Sequence, residues 1–522
     1  MKRHSLILVL LSLCCLLSVV LTGCGSGENA NFQYVLAEEP VTLDPQVAAD
    51  ESAQFVITAL YEGLTRLDAS GAVQPGVATH WDVDSSGTVY TFYLRQDSKW
   101  SDESPVTAKD FQFAFRRALQ PETGSAVCRS MDILENAQAI REGKLSAEQL
   151  GVTVLDDYTL QIRLCYADPD FPTLLSEAVF MPCKEDYFTQ SEGKYGTDSA
   201  YTMGNGPFRM ENRYSWEHGA YINLIRSETY VGEEPVSPAK LTITIADNET
   251  GDNPLQWLEN GDTDGAYLSS DQTAHAEALG CTVTNVQNTT WGLCFNTQQP
   301  SVRSAKARCA LLQAVNRSDL LKQIPDDATA AEGILPPDTV FCGTNYRSAT
   351  GTVTTPGTAA SRIEVPAITV LCPNTDSAKR IVNEMITAWN REFNHYYNME
   401  PLSEEELNAR IASGDFEAAI LPVQASSQNP RSLLSLFHSD SKQNPALLND
   451  SAYDKLLTIS NTSTAQSVLK SEQQAEGYLV EQGIFYPLYY ETDHWAVAPS
   501  VQNATVLPYN GGIDFSRSKK LK

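Results

Sequence analysis

The apolar and polar positions fall into patches of distinct period. From Asn31 to Leu36 they alternate, which predicts a short strand. Pro40 and Pro45 then hold the segment Glu39 to Pro45 extended. Asp50 is placed to cap a helix whose face carries Val56, Ala59 and Leu60, and Gly63 is expected to end it in a left-handed conformation. Trp81 to Val83 and Val89 to Leu94 flank Asp84-Ser85-Ser86-Gly87 as a hairpin. Thr107-Ala108-Lys109-Asp110 is a capping box for a helix striped by Phe111, Ala114, Phe115, Ala118 and Leu119; Pro121 stops it, and Arg116 and Arg117 fall on the solvent side. Val152 and Val154, then Leu160, Ile162 and Leu164, predict a second hairpin across Asp156-Asp157. Residues 72 to about 200 thus form an inserted α+β unit.

Sheet resumes at Phe208 to Met210, Tyr221 to Arg226 and Leu241 to Ile245. Near 285 to 295 the character changes. Leu293 to Asn296 predicts a strand, and Ala305, Cys309, Leu312 and Val315 stripe a helix that ends near Asn316. Ser348 to Ser361 lacks apolar periodicity and predicts a surface loop. The pattern is strongest between 368 and 421. Ile368 to Cys372 is an apolar strand, and Ala378, Ile381, Met385, Trp389 and Phe393 mark one helix face. His395 to Met399 follows, then a helix capped by Ser403 with Glu406, carrying Leu407 and Ile411, then Gly414 and a strand at Phe416 to Leu421. This β-α-β-α-β order predicts parallel strands in a three-layer lobe. Ile484 to Val497 is a last strand region.

The amino end is of another kind. Behind Lys2 and Arg3 runs an apolar block from Ser5 to Thr22, closed by Leu21-Thr22-Gly23-Cys24 and followed by polar, Gly-rich residues. This resembles a bacterial lipoprotein signal, which implies cleavage before Cys24 and a diacylglyceryl chain on its thiol. Residues 1–23 are then a signal peptide and 24–32 a lipidated tether. A single transmembrane anchor is the alternative, since a span needs roughly 18 to 20 apolar residues. Over the whole chain 42% hydrophobic and 20% charged residues describe a globular body, long enough for about three domains. A formal net charge of -28 repels phosphate backbones, so no nucleic-acid partner is expected.

Familiar chemical signatures are missing. The histidines form no HExxH, and there is no P-loop, no GxGxxG after a strand and no GxSxG elbow. Asp156-Asp157, Glu233-Glu234 and Glu404-Glu405-Glu406 read as a turn, a loop and a helix first turn. Cys128, Cys165, Cys183, Cys281, Cys294, Cys309, Cys342 and Cys372 form no CxxC; they are either small buried hydrophobes or partners in disulfides of unassigned pairing. No metal and no cofactor is implied, and no catalytic residue.

Several blocks together resemble one family. Glu39-Pro40-Val41-Thr42-Leu43-Asp44-Pro45 and Glu62-Gly63-Leu64 come first. Tyr90-Thr91-Phe92-Tyr93-Leu94-Arg95, Lys99-Trp100-Ser101-Asp102 and Pro105 to Phe111 follow in order. Gly204-Asn205-Gly206-Pro207-Phe208, Phe295-Asn296-Thr297, Ala314-Val315-Asn316-Arg317 and Pro487-Leu488-Tyr489-Tyr490 complete the set. The chain is similar to the extracytoplasmic solute-binding proteins of oligopeptide and dipeptide ABC importers, solute-binding family 5.

The resemblance implies an α/β, two-lobed periplasmic-binding-protein-like fold with an inserted subdomain, its lobes joined by a two-strand hinge. Lobe 1 would comprise 33–71, 203–288 and 487–522, the inserted unit 72–202, and lobe 2 289–486. It further implies a membrane-anchored, extracytoplasmic binder of peptides or peptide-like solutes that delivers them to an ABC permease and catalyses nothing. A peptide-sensing or pheromone receptor, or a nickel-chelate or haem binder, is an alternative on the same fold, and a surface hydrolase one of another class. Glu39 and Val41 stand at cleft-lining positions; Trp291, Tyr489 and Tyr490 stand either there or in the core. The family's Trp-x-Ala-Asp segment is here Val423-Gln424-Ala425-Ser426, so the acid that pairs with a ligand ammonium is replaced by Ser426. Ser125-Ala126-Val127-Cys128 and Arg226-Ser227-Glu228-Thr229-Tyr230 also depart from the family pattern.

Overall fold

The computed structural model describes residues 30–68, 71–232, 235–246, 253–358, 365–507, 509 and 512–521. The signal, Cys24, the tether as far as Asn29, the pair Glu233-Glu234 and the end of the 348–361 loop lie outside the described residues. Strand β1 (Asn31–Leu36) pairs in parallel with Lys240–Ile245, which continues antiparallel through Tyr221–Arg226 to Phe208–Met210. Residues 31 and 32, assigned above to the tether, are therefore part of this sheet. Phe32 is fully buried and packs on Phe515 from the far end of the chain, ring centroids 5.4 Å apart.

Helix α1 (Glu51–Leu60) is capped as its sequence requires, Asp50 Oδ1 accepting from Ala53 N at 2.7 Å. Its end corrects the expectation at Gly63. Tyr61 is already extended, and Gly63 is not among the glycines of positive φ. A side chain there would meet the Leu175 carbonyl at 2.8 Å, so close approach to the inserted unit fixes this glycine.

The inserted unit is a four-stranded antiparallel sheet, Ala78–Val83, Val89–Leu94, Thr159–Arg163 and Val152–Asp156, covered by α2 (Ala108–Leu119). Asp110 closes the capping box, accepting from Thr107 N at 2.7 Å. The apolar stripe is buried as read, but Arg117 is not on the solvent side. It is 5% exposed, its guanidinium paired with Asp44 and lying over the Phe188 ring. Periodicity put it outward because a charge without a partner belongs there; the partner comes from 73 residues earlier. Gln46 Nε2 donating to Met181 O at 2.9 Å and Leu43 N to Gly196 O at 2.7 Å add to the weld between the inserted unit and lobe 1.

Two long strands join the lobes. β2 (Thr282–Phe295) begins well before the Leu293 of the sequence reading and pairs antiparallel with β6 (Phe485–Val497) along its length, with irregularities between Val286 and Thr289 and between Trp291 and Gly292. At one end β6 takes Gly265–Leu268 as its other neighbour; at the other, β2 takes β5 (Ala418–Gln424). Lobe 2 continues outward as β3 (Thr369–Pro373), α3 (Asp376–Phe393), β4 (Asn398–Leu402) and α4 (Glu404–Ser413), with β4, β3 and β5 adjacent and parallel. Gly414 ends α4 at φ 72°.

This sheet is buried on both faces. Val370, Cys372, Ile420, Leu293 and Phe295 pack with Ile381, Met385 and Trp389 of α3. The alternate residues Leu371, Ala419, Leu421, Cys294 and Phe485 join a second core with Leu479 and Val480 of α6 (Ala465–Glu481), which lies beyond the short α5 (Pro430–Leu434). The expected three layers are present. All eight cysteines of the body are free, seven of them buried. Within the loop read from 348, Tyr346–Thr350 is a short helix and 351–358 is irregular. Among the described residues no helix is long and apolar enough to cross a membrane.

Candidate functional site: the cleft behind the crossing strands

The two crossing strands place a row of side chains at the junction of the lobes. Tyr489 on β6 is in register with Trp291 on β2, and their rings lie parallel, centroids 6.1 Å apart and planes 11° apart. The Trp291 indole N–H donates to Glu491 Oε2 at 2.6 Å. A cavity of about 150 Å³ opens beside them, lined by Trp291, Tyr489, Glu491, Asp327, Thr375 and Thr492.

Two residues further along β6, Asp493 is 9% exposed and accepts from the Tyr267 hydroxyl at 3.1 Å. Burial pushes its carboxyl up to about 7; the charges of Glu491 and Glu51 add to the rise and the Tyr267 bond opposes it. Glu491 is also raised, by burial first, with Asp327 and Glu404 adding and the Trp291 bond opposing. The charges of Glu51, Asp327 and Glu404 that act on these two carboxyls are all negative. Such a wall favours a cation, because an opposite charge in a partly desolvated site stabilises the ionised acids. Across the cleft Gln424 Nε2 of β5 donates to Glu51 Oε1 of α1 at 2.7 Å, a direct bond between the lobes.

The structure brings together Trp291 and Tyr489 of the sequence-derived set. Tyr490 faces elsewhere. It is 2% exposed, and its hydroxyl receives Glu332 N at 3.1 Å and Gly333 N at 3.2 Å and donates to Leu335 O at 3.1 Å. Glu39 lies in lobe 1 with its carboxylate engaged: Trp216 Nε1 and Gly219 N donate to it, each at 2.9 Å, and His218 Nδ1 is 2.6 Å away. Val41 is 82% exposed. Ser426 is exposed just beyond β5. Neither Glu39 nor Ser426 lines the aromatic cavity.

The sequence reading missed Glu491 and Asp493. Their signal was present: two acids alternate in the polar stretch Glu491 to His494 of a strand that is apolar or aromatic on either side of it, directly after Tyr489 and Tyr490. Glu51, Tyr267 and Asp327 left no local mark. Among the described residues no group of His, Cys, Asp and Glu is arranged to hold a metal ion.

Two lobes joined by a pair of crossing strands, with a walled cleft at the crossing, define a two-lobed solute-binding protein. The chain belongs to the bacterial extracellular solute-binding proteins, family 5, whose profile matches residues 72–445. It is 24% identical to the oligopeptide-binding protein OppA of Bacillus subtilis, the match covering 98% of each chain. Peptide-bound OppA of Listeria monocytogenes superimposes with a TM-score of 0.76 at 21% identity, over 95% of this chain and 99% of that one. The murein tripeptide-binding protein MppA of Escherichia coli gives 0.74 at 22% identity, over 95% and 99% of the two chains. MppA in an unliganded open form gives 0.63 at 23% identity, over 95% and 98%.

Proposed function

We propose that this protein is the membrane-tethered binding component of an ABC importer, anchored through Cys24, that captures a peptide or peptide-like solute by closing its lobes and releases it unchanged to a permease. The observation that carries the ligand class is the pair Glu491 and Asp493 beside the stacked Trp291 and Tyr489, acids that lie next to aromatic faces and form no salt bridge among the described residues. A solute with a cationic group answers both features: the ammonium or guanidinium pairs with the acids, and its alkyl stem or charge lies on the rings. Ser426 cannot supply a charge, and Glu39 is already engaged, so recognition of a free amino terminus at either position is not part of this reading.

Calorimetric titration with trilysine and triglutamate tests it. Trilysine should bind, and the Glu491→Gln/Asp493→Asn variant should bind it at least about tenfold more weakly, since loss of one member of a buried charge pair costs roughly 2 to 5 kcal/mol. N-acetylation of trilysine should change affinity by less than about threefold, well inside the 1.4 kcal/mol of a tenfold effect. Equal binding of triglutamate and trilysine would overturn the assignment of ligand class.

A further inference from the structure

The inserted unit meets lobe 2 at a second face, away from the cleft. Arg129 and Arg141 of the inserted unit pair with Asp440 of lobe 2, Gln138 Oε1 accepts from Ile459 N at 2.8 Å, and the Tyr166 and Phe341 rings stack with centroids 6.1 Å apart. Because the buried Asp44–Arg117 pair fastens the inserted unit to lobe 1, any opening about the crossing strands must part this face.

At its centre lies Glu472 of α6, 1% exposed, with no hydrogen-bond partner on either carboxylate oxygen. Among the described residues the one cation beside it is Arg431 of α5, whose Nε stands 3.9 Å off and is itself without a hydrogen bond. Arg431 is shared, with Asp132 at 3.8 Å and the Leu457 carbonyl at 2.7 Å. From the inserted unit Asp168, 2% exposed, faces Glu472 as a like charge, and Tyr166 lies beside it. From lobe 2 the facing groups are Cys342 and Tyr346, the latter with its hydroxyl unpartnered. Glu476, one turn further along α6, is held by Arg347 at 2.6 Å and offers Glu472 no relief.

A buried carboxylate without hydrogen bonds is costly, and a proton removes the cost. Burial pushes Glu472 up to about 7, Arg431 opposing and Asp168 adding; burial pushes Asp168 up to about 6, the Asp170 N–H opposing and the Asp170 charge adding.

We propose that this face is a proton-sensitive latch: closure brings Asp168 against Glu472 and takes up a proton there, so mild acid favours the closed form. The proposal rests on the reading that the lobes open about the crossing strands. The sign follows from the raised proton affinity of the closed state. Its stabilisation is complete at acidic pH and is lost as pH rises from the ordinary carboxylate range of the open form to the 6 to 7 of the two closed-state carboxyls, each proton changing the closed-to-open ratio by up to about tenfold per pH unit. Glu177, with a buried unpartnered oxygen near Ser427, and Asp493 in the cleft respond in the same direction, whereas His438, held against Arg129 on this face and pushed down to about 4 by burial and by that guanidinium, responds in the opposite one, so the decisive comparison is between variants.

The test is fluorescence energy transfer in the unliganded full chain in detergent, with dyes on azidophenylalanine introduced as Glu148→azidophenylalanine in the inserted unit and Lys455→azidophenylalanine in lobe 2, both exposed positions. In the parent, transfer should rise between about pH 8 and about pH 5.5. Glu472→Gln, which keeps the volume and is neutral throughout, should show higher transfer than the parent at the upper pH and lose part of the pH response. Asp168→Asn should do the same, and carries the test if Glu472→Gln fails to fold. A full pH response in both variants would overturn the latch. No pH response in the parent, with saturating trilysine still raising transfer, would overturn the latch and leave the hinge; no response to either would sink both.

Discussion

The Arg117 guanidinium faces the Asp44 carboxylate inside the joint between the inserted unit and lobe 1, Nη1 to Oδ2 at 2.7 Å, both residues more than nine-tenths buried. The arrangement gives a structural reason for an aspartate in the extended Glu39–Pro45 segment: it anchors a helix 73 residues away. Gln46 stands on the same guanidinium, and the Phe188 ring lies 4.4 Å below it.

Arg117→Ala should therefore be severely destabilising. Removing one member of a buried, hydrogen-bonded pair leaves Asp44 charged and alone, at a cost of about 3–5 kcal/mol. Denaturant unfolding should show the loss, and Asp44→Ala on top of Arg117→Ala should add little to it. Simple additivity of the two would refute the pairing.

Glu39 is expected to act on stability rather than on ligand choice. Glu39→Ala would leave the buried Trp216 indole N–H without its acceptor, at a cost of roughly 1–3 kcal/mol, while the exposed Gly219 amide can turn to water. Melting temperature should fall, while the affinity ratio of free to N-acetylated trilysine stays the same. A changed ratio would restore Glu39 to the ligand site.

Asp493 makes stability depend on pH. Its folded-state pKa is raised to about 7 by burial, so the folded form holds a proton that the unfolded chain has released. The penalty of ionising it is absent in acid and complete above about pH 7, so this group makes stability fall as pH rises between about 4 and 7. Asp493→Asn should raise the melting temperature at pH 8 and leave it nearly unchanged at pH 4. An equal gain at both would show that packing, not charge, is responsible.

Cys24→Ser removes the thiol that lipid attachment needs. Fractionation should find the variant either as soluble protein or with residues 1–23 uncut, whereas the parent should sediment with membranes. Normal processing and membrane retention of Cys24→Ser would refute the lipoprotein reading.

Local pattern made much of the scaffold legible. The alternation of Phe32, Tyr34 and Leu36, the capping boxes at Thr107 and Ser403, and the β-α-β-α-β run all record the period of one strand or one helix, and each stands where its own residues put it. The full length of β2 was not legible. Thr282 to Asn288 is polar or mixed, and it is held as strand by β6, more than 200 residues later.

The sequence alone determined many of the helices and strands, the β-α-β-α-β layering of lobe 2, and the family resemblance, because these depend on spacing within a few tens of residues. Only the tertiary structure decided that Arg117 is buried, that Tyr490 turns away from the cleft, that Glu39 is already occupied, and that Asp493 stands within reach of the charges of both Glu491 and Glu51. The physical reason is the same in each case. A charged or polar side chain takes its place from its partner, and these partners lie tens to hundreds of residues away, where periodicity along the chain carries no record of them.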